Sequence, residues 1–448
     1  MSRNTKFRSL RHQPHQGLRS LRLLHSHING PVPCLNPTRA RFAYDASEVS
    51  PTVSSTHPDH PETAAMTDIV KYRTLGVQQT QRKSRRARNI SFEWRSRNNR
   101  KGRSLLIVHL PRQEAEDEDS RFLVPQSTAS LHHILINMRL MFTYFPYWDI
   151  SYLVAFLFTF GSVVWVINGF FAWLPLQDPG SDFKYEGLMA VGVTAFIGAT
   201  VFEFGSVLLL LEAVNVNQEG CFGWAVESAL EGNGEMRKSN GQLKVIPKND
   251  ERDHHYKRNS LPEEPKRSTP SSPLPSYSPT KTLDSPEPQS WQWLPSFRDL
   301  RTHLLHELGF LASLSQLIGA TIFWISGFTA LPGINNKMSQ GLLDAIYWTP
   351  QIVGGTGFIV SSALFMLETQ PNWYTPAPRS LGWHIGLWNL VGAFGFTICG
   401  ALGPAYGNSG SQYQASLATF WGSWAFLIAS VIQWYESLGK CVVEHVTE

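Results

Sequence analysis

Residues 413–436 read YQASLATFWGSWAFLIASVIQWYE, a long and almost uncharged run. It carries no charged side chain before Glu436, and about 20 apolar residues are enough to cross the hydrocarbon core of a bilayer. Gly422, Phe426, Ser430 and Glu436 stand at offsets 0, 4, 8 and 14 within it. At about 100° per residue these four positions share one helix face with an arc of about 120°. The stretch therefore predicts a membrane helix with a small-residue packing face and a glutamate at its end.

The same pattern recurs in two other apolar segments. Its members there are Gly198, Phe202, Ser206 and Glu212, and then Gly354, Phe358, Ser362 and Glu368. The three alternating segments have a small–aromatic–small pattern at offsets 0, 4 and 8, formed by Gly161, Trp165 and Gly169, by Gly319, Phe323 and Gly327, and by Gly392, Phe396 and Gly400. Small residues let membrane helices approach closely, so the Gly and Ser positions are predicted packing sites. Because glutamate is rare in these segments, its recurrence at one offset indicates a tandem triplication of a two-helix hairpin.

These patterns predict an all-α membrane protein with six transmembrane helices, TM1–TM6, in three tandem hairpins. The expected spans are 151–174, 187–211, 308–331, 345–367, 381–402 and 413–435. The hairpins then belong to units 131–214, 291–370 and 371–437, the first two beginning with an interfacial segment. For the second, Trp293, Phe297, Leu300, Leu304 and Leu308 repeat every three or four residues and predict an interfacial helix.

Most of the charge lies outside these segments. The chain has 39 Lys+Arg against 35 Asp+Glu, and residues 302–435 contain only two of the basic residues. Residues 1–130 are expected to be a disordered basic tail and residues 438–448 a short tail. Ten Lys and Arg lie between Arg82 and Arg103, and the positive-inside rule then places both termini in the cytoplasm. This basic cluster is a candidate site for anionic lipids.

The membrane itself is expected to be the plasma membrane or an endomembrane. Eight Lys and Arg precede Asp45, which leaves mitochondrial targeting as a minor alternative, and Met66 as the true start is another alternative.

The long loop 215–290 is rich in Ser and Pro and is expected to be disordered and cytoplasmic. Its Ser/Thr-Pro steps make Thr269, Ser272, Ser278 and Ser285 candidate sites for proline-directed kinases.

Polar residues inside the apolar segments are the candidate functional positions. Glu203 is a carboxylate near mid-helix, and Gln316 and Asn389 fall at a similar depth, so a polar cluster is one expectation. The alternative is that Glu203 is a neutral structural residue. The recurring Glu212, Glu368 and Glu436 lie at the cytoplasmic helix ends, and Arg139, Arg301 and Arg379 are the partners expected there.

Nothing in the sequence indicates catalysis. We find no nucleophile–base pair, no metal-ligand set, no phosphate-binding loop and no nucleic-acid motif, and the four cysteines have no disulfide spacing. We therefore expect no metal or cofactor and a non-enzymatic protein of unknown oligomeric state, whose partner is the lipid bilayer. It would be a scaffold or a regulated membrane component. The alternative is a small-solute or ion transporter or channel that uses the intramembrane carboxylate.

The even-helix motif, for instance Phe420-Trp421-Gly422-Ser423-Trp424-Ala425-Phe426 leading to Glu436, resembles the two-helix YrhK-type membrane domain. The whole chain is similar to uncharacterised fungal integral membrane proteins. The resemblance covers residues 150–214, 303–370 and 381–437 and implies architecture only, because that family supplies no activity.

Overall fold

The computed structural model describes residues 21–23, 28–44, 89–110, 127–216, 222, 226, 235–239, 242–246 and 291–447. Its dominant feature is six helices long and apolar enough to cross a membrane. They are TM1 (Ile150–Gln177), TM2 (Glu186–Val214), TM3 (Leu308–Thr329), TM4 (Gln340–Thr369), TM5 (Leu381–Ala405) and TM6 (Ser409–Leu438). The prediction of an all-α, six-helix, multi-pass membrane protein is confirmed.

The six helices form a closed ring in sequence order. Each packs against the helices before and after it, and TM6 packs against TM1. Because TM2–TM3 and TM4–TM5 are in contact as well as the pairs within each predicted hairpin, these contacts do not divide the ring into three hairpins. That division stays a prediction.

Within each predicted unit, glycine lies against the aromatic residue of the facing helix. A Cβ on Gly198 would meet the ring of Trp165 at 2.8 Å. A Cβ on Gly354 would meet Phe323 at 2.6 Å, and one on Gly392 would meet Phe426 at 2.8 Å. In the same way, a Cβ on Gly161 would meet the ring of Phe202. A Cβ on Gly319 would meet the carbonyl of Gly354, and one on Gly422 would meet the carbonyl of Gly392. The helices can approach this closely only because glycine has no side chain. Close packing of this kind stabilises the association of membrane helices.

The second glycine of the sequence pattern in TM1, TM3 and TM5 packs against the preceding helix of the ring. Gly327 on TM3 lies against Ala199 of TM2, and Gly400 on TM5 lies against Ile352 of TM4. Gly169 on TM1 lies against Phe420 of TM6, so the same contact recurs across the closure.

Aromatic side chains fill the axis of the ring. The six aromatic residues of the two sequence patterns belong to one buried cluster: Trp165, Phe202, Phe323, Phe358, Phe396 and Phe426. The three from the odd helices all touch one another, with ring centroids 4.8–5.7 Å apart. Phe426 also contacts the other two even-helix rings at 5.7 and 6.3 Å. The centre of the ring is therefore a packed aromatic plug.

A five-stranded sheet includes the two ends of the described chain. Its order is β1 (Leu21–Leu23), β2 (Arg39–Tyr44), β3 (Asn89–Arg95), β4 (Ser104–Leu110) and β8 (Cys441–Thr447). The last strand pairs in parallel with β4, while the other pairs are antiparallel. The disordered-tail prediction is corrected for these residues, because Leu105, Ile107 and Val108 of β4 are buried and fix the strand.

The expectation for the central loop is also corrected in part. Residues Glu235–Ser239 (β5) and Gln242–Ile246 (β6) form a three-stranded sheet with Trp291–Leu294 (β7). The predicted kinase sites Thr269, Ser272, Ser278 and Ser285 lie outside the described residues.

The segment before TM3 is not a single interfacial helix. It consists of β7, a short helix Phe297–Thr302 and a 3-10 turn Leu304–His306. Pro295 explains the first break, because the residue before proline favours extended backbone. Before TM1, helix Leu131–Thr143 exposes Leu131, Leu135 and Phe142, as expected for an interfacial segment.

Candidate functional site

A short basic segment lies across one end of the helix ring. It comprises residues 96–103, here named the cationic cap, and joins β3 to β4 through a one-turn helix, Ser96–Arg100. Gly102 follows that helix with φ +59°, a left-handed conformation that allows the chain to turn back into β4. The sheet thus holds the cap at the end where TM2, TM4 and TM6 finish.

The three recurring glutamates, here named the glutamate triad, meet the cap. Glu212, Glu368 and Glu436 come from TM2, TM4 and TM6, and each is at most 2% exposed. In the cap, Arg97, Arg100 and Lys101 are at most 5% exposed. Buried charges are tolerated when they are paired and hydrogen-bonded, so the pairing of these groups decides the geometry of the site.

Arg100 and Glu368 form the best-aligned pair. Arg100 Nη1 and Nη2 donate to the two carboxylate oxygens of Glu368, each at 2.8 Å. Ser96 Oγ donates to Glu368 Oε1 at 3.0 Å. The Arg100 guanidinium also lies 5.4 Å from the centroid of the Phe365 ring, one turn earlier on TM4. A planar guanidinium suits this two-bond geometry, which a lysine could not reproduce.

Glu436 is shared by two arginines. Arg97 Nη2 lies 2.7 Å from its Oε2, and Arg103 Nη1 lies 2.7 Å from its Oε1. Each carboxylate oxygen therefore has its own charged donor. These cations also lie at the C-terminal end of TM6, where the helix dipole favours positive charge.

Glu212 has a different partner. Lys101 Nζ lies 3.5 Å from Glu212 Oε1, and Ser151 Oγ donates to the same oxygen at 2.7 Å. Burial lowers the pKa of Lys101 below its ordinary value, and the Glu212 carboxylate opposes that shift. This third pair is looser than the two arginine pairs.

One position of the odd helices distinguishes the two glutamates that pair with arginine from the one that pairs with lysine. Ten residues before the first patterned glycine of TM1, TM3 and TM5 stand Ser151, Gly309 and Gly382. A Cβ on Gly309 would collide with the Arg100 guanidinium, and one on Gly382 would collide with Arg97. Glycine therefore makes room for the two arginines, whereas Ser151 occupies this space in the first unit and contributes its hydroxyl.

The partners expected for the triad were wrong. Arg139, Arg301 and Arg379 are exposed, and the ion pairs of the glutamates go to the cap instead. Because Arg97, Arg100 and Lys101 are buried, they are not part of a surface that could bind anionic lipids. Residues 82–88 of the predicted cluster lie outside the described residues.

Below the cap is a cavity of about 40 Å³, here named the chamber. Arg97, Arg100 and Lys101 line one side of it, and Phe202 and Phe426 of the aromatic plug line the other. Its walls include the predicted polar residues Gln316 and Asn389 and the predicted packing residues Ser362 and Ser430.

Glu203 does not line the chamber. Its Oε1 accepts a hydrogen bond from Thr321 Oγ1 on TM3 at 2.9 Å, where Glu203 is half-buried and Thr321 is exposed. At about 100° per residue, Glu203 points well away from its neighbour Phe202, which faces the axis. The structure therefore brings together only Gln316 and Asn389 of the three expected polar residues.

The cap itself was missed as a site from the sequence. Two signals could have indicated it: the run SLLIVHL at 104–110, which is typical of a strand, and the need of three buried glutamates for cations. Across the described residues, no group of three or more His, Cys, Asp or Glu side chains could hold a metal ion.

Comparison of the chain with protein-family models, curated proteins and solved structures finds no match. The resemblance of the even-helix motif to the YrhK-type domain therefore gains no support from these comparisons. What can be said of function rests on the geometry of the ring, the cap and the chamber.

Proposed function

We propose that this multi-pass membrane protein is a non-enzymatic scaffold or regulated membrane component whose helix ring is held closed by its own cationic cap. The observation that carries the proposal is that every member of the glutamate triad is paired with a cap cation. Removing one partner from a buried ion pair leaves an uncompensated charge, so the three pairs together favour one arrangement of TM2, TM4 and TM6.

The axis of the ring supports the same proposal. The aromatic plug lies on one side of the chamber and the cap on the other. An open channel needs a polar, water-filled path, and apolar constrictions of this kind exclude water. The geometry therefore favours a packed membrane component over an open pore.

The regulated part of the proposal is the loop between TM2 and β7. Its two ends meet close to Glu212, because Asn215 Nδ2 donates to the Gln292 carbonyl at 2.8 Å and Gln292 N donates to Asn215 Oδ1 at 2.7 Å. Phosphates added between these ends would bring negative charge near a site held together by cations. We place this loop, the cap and both termini on the cytoplasmic side, following the positive-inside rule.

The test is the accessibility of the chamber in a variant without Cys34, Cys221, Cys399 and Cys441. Asn389→Cys would be treated with a membrane-impermeant thiol reagent from each side. Exposed control positions at the two ends of the ring are Asn372, for the cap side, and Gly407, for the opposite side, each replaced by Cys. We expect each control to be labelled from one side only and Asn389→Cys from neither. Labelling of Asn389→Cys would overturn the closed ring.

A second candidate function is a small-solute or ion transporter. The observation that favours it is the chamber, whose walls carry three side-chain amides and three serines. This candidate now depends on Gln316 and Asn389 rather than on Glu203. It requires the labelling of Asn389→Cys from at least one side, so the same experiment separates the two candidates.

A further inference from the structure

The cap carries one more cation than the glutamate triad has carboxylates. Four cap cations, Arg97, Arg100, Lys101 and Arg103, contact the three carboxylates of the triad. Three of these cations line the chamber, whereas none of the three carboxylates does. In a site with little water, charges act over longer distances than in solution. The three cations in its wall therefore give the chamber a positive potential.

Two buried donors of the cap lack hydrogen-bond partners. Lys101 Nζ and Arg100 Nε make no hydrogen bond to any described residue, although Lys101 lies near Glu212 and Arg100 binds Glu368 through its other nitrogens. Buried polar groups are almost always satisfied, and an unpartnered one indicates a water or an ion that completes the site.

The walls of the chamber offer further donors. Gln316, Asn389 and Gln433 come from TM3, TM5 and TM6, so three different helices contribute a side-chain amide. Each amide has an NH₂ group that donates two hydrogen bonds, and Ser362 adds a hydroxyl donor. Apolar side chains complete the wall, including Phe158, Leu209 and Ile385. The cations and the neutral donors together are the groups that bind an anion.

We infer that the chamber binds one small monovalent anion of the halide class, held by Lys101 and by the amides of Gln316 and Asn389. One anion would neutralise the single excess cation. A space of about 40 Å³ holds a few water-sized spheres, so it fits chloride or bromide but is too small for a lipid phosphate group. This inference goes beyond the closed-ring proposal, which requires no ligand.

Equilibrium dialysis of the purified full-length chain in uncharged detergent, with radioactive chloride, is the direct test. We expect saturable binding of about one chloride per chain, displaced by bromide but not by gluconate. Thermal unfolding in chloride should also occur at a higher temperature than in gluconate at equal ionic strength, because a ligand that binds only the folded state stabilises it. Absence of saturable binding would mean that the chamber holds water only, and the inference would be wrong.

Variants then locate the bound anion. Gln316→Leu and Asn389→Leu each remove an amide without touching an ion pair, and each should weaken chloride binding at least tenfold. The matched control is Gln351→Leu on TM4, whose amide is also buried but donates to the Phe396 carbonyl away from the chamber. Unchanged affinity in a folded chamber variant, or an equal loss in the control, would overturn the assignment. The two amides are on different helices, so a substitution that unfolds one variant need not unfold the other. One folded variant is sufficient to test the assignment.

The two proposals can fail separately. A chain that binds no chloride but keeps Asn389→Cys unlabelled would leave the closed ring intact and refute the anion site. A chain that binds chloride and is labelled at position 389 would refute the closed ring and retain the anion site.

Discussion

Arg100 and Glu368 lie 268 residues apart in the sequence, yet they form two parallel hydrogen bonds of 2.8 Å inside the protein. This pair joins the cationic cap to the end of TM4. Both side chains are almost completely buried, so water does not compete for their hydrogen bonds.

Replacing Glu368 by Gln should strongly destabilise the protein. The substitution leaves the Arg100 guanidinium buried without its carboxylate, and breaking a buried ion pair in this way costs about 3–5 kcal/mol. The free energy of unfolding would be measured in mixed micelles by tryptophan fluorescence. The double variant Arg100→Met/Glu368→Gln should recover part of the loss, since it removes both charges.

The control for this series is Arg379→Met, which removes an exposed arginine that was expected to pair with the triad. It should change the free energy of unfolding by less than about 0.5 kcal/mol. If Arg379→Met were as damaging as Glu368→Gln, the assignment of the triad's partners to the cap would be wrong.

Gly309→Ala should displace Arg100 from Glu368. The added methyl group would occupy the place of the guanidinium, so the cap must shift or the pair must break. Overpacking of this kind costs about 1–3 kcal/mol. We expect a lower unfolding temperature and an increased rate of proteolysis within the cap. Gly341→Ala is the matched control, because a Cβ there meets no atom within 4 Å.

Phe396→Ala should test the aromatic plug. Phe396 is 1% exposed and touches the rings of Trp165, Phe323 and Phe426. Deleting it leaves a cavity on the axis, for which losses of about 3–5 kcal/mol are typical. Phe394 lies two residues earlier on the same helix, is 47% exposed and faces outward, so Phe394→Ala is the control. Equal losses for the two variants would argue against a packed axis.

The pH dependence of stability should contain a contribution from His303. Its ring donates to Glu307 at 2.8 Å, and this hydrogen bond raises the pKa of His303 above 6.5. The folded state then binds the proton more tightly than the unfolded state. The contribution is complete below pH 6.5 and is lost as the pH rises through the raised pKa.

Because His303 is about half exposed, the effect should be below about 1 kcal/mol. Unfolding temperatures measured from pH 5.5 to 8.5 would reveal it as a difference between the wild type and Glu307→Gln. A constant difference across this range would show that the pair contributes nothing through protonation.

Several features of the fold follow from the sequence because they depend on local composition. Long apolar runs such as 413–435 are too hydrophobic to lie in water as loops and long enough to cross a bilayer as helices. The six membrane helices are therefore predictable. The recurrence of Gly, Phe, Ser and Glu at fixed offsets identifies the helix faces, and Phe202, Phe358 and Phe426 all face the axis in the structure. Glu203 could have been placed better by the same reasoning, since it is adjacent to Phe202 and cannot share its face.

The site was only half predictable. The sequence indicated that Glu212, Glu368 and Glu436 were special, but it did not identify their partners, because nothing local distinguishes Arg100 from the exposed Arg379. Basic composition favoured a tail without structure, whereas the run after Gly102 forms a strand that pairs with Cys441–Thr447. Parallel pairing between two strands far apart in the sequence leaves no periodic signal in either strand.

The six membrane helices, their small-residue faces and the recurrence of the three glutamates are predictable from local sequence, because helical periodicity and hydrocarbon thickness act on neighbouring residues. The closure of the ring between TM6 and TM1 and the pairing of the cap with the glutamate triad appear only in the folded chain. Those contacts join groups that are far apart in the sequence. The ion pairs form because buried carboxylates need cations, which the folded chain brings to them.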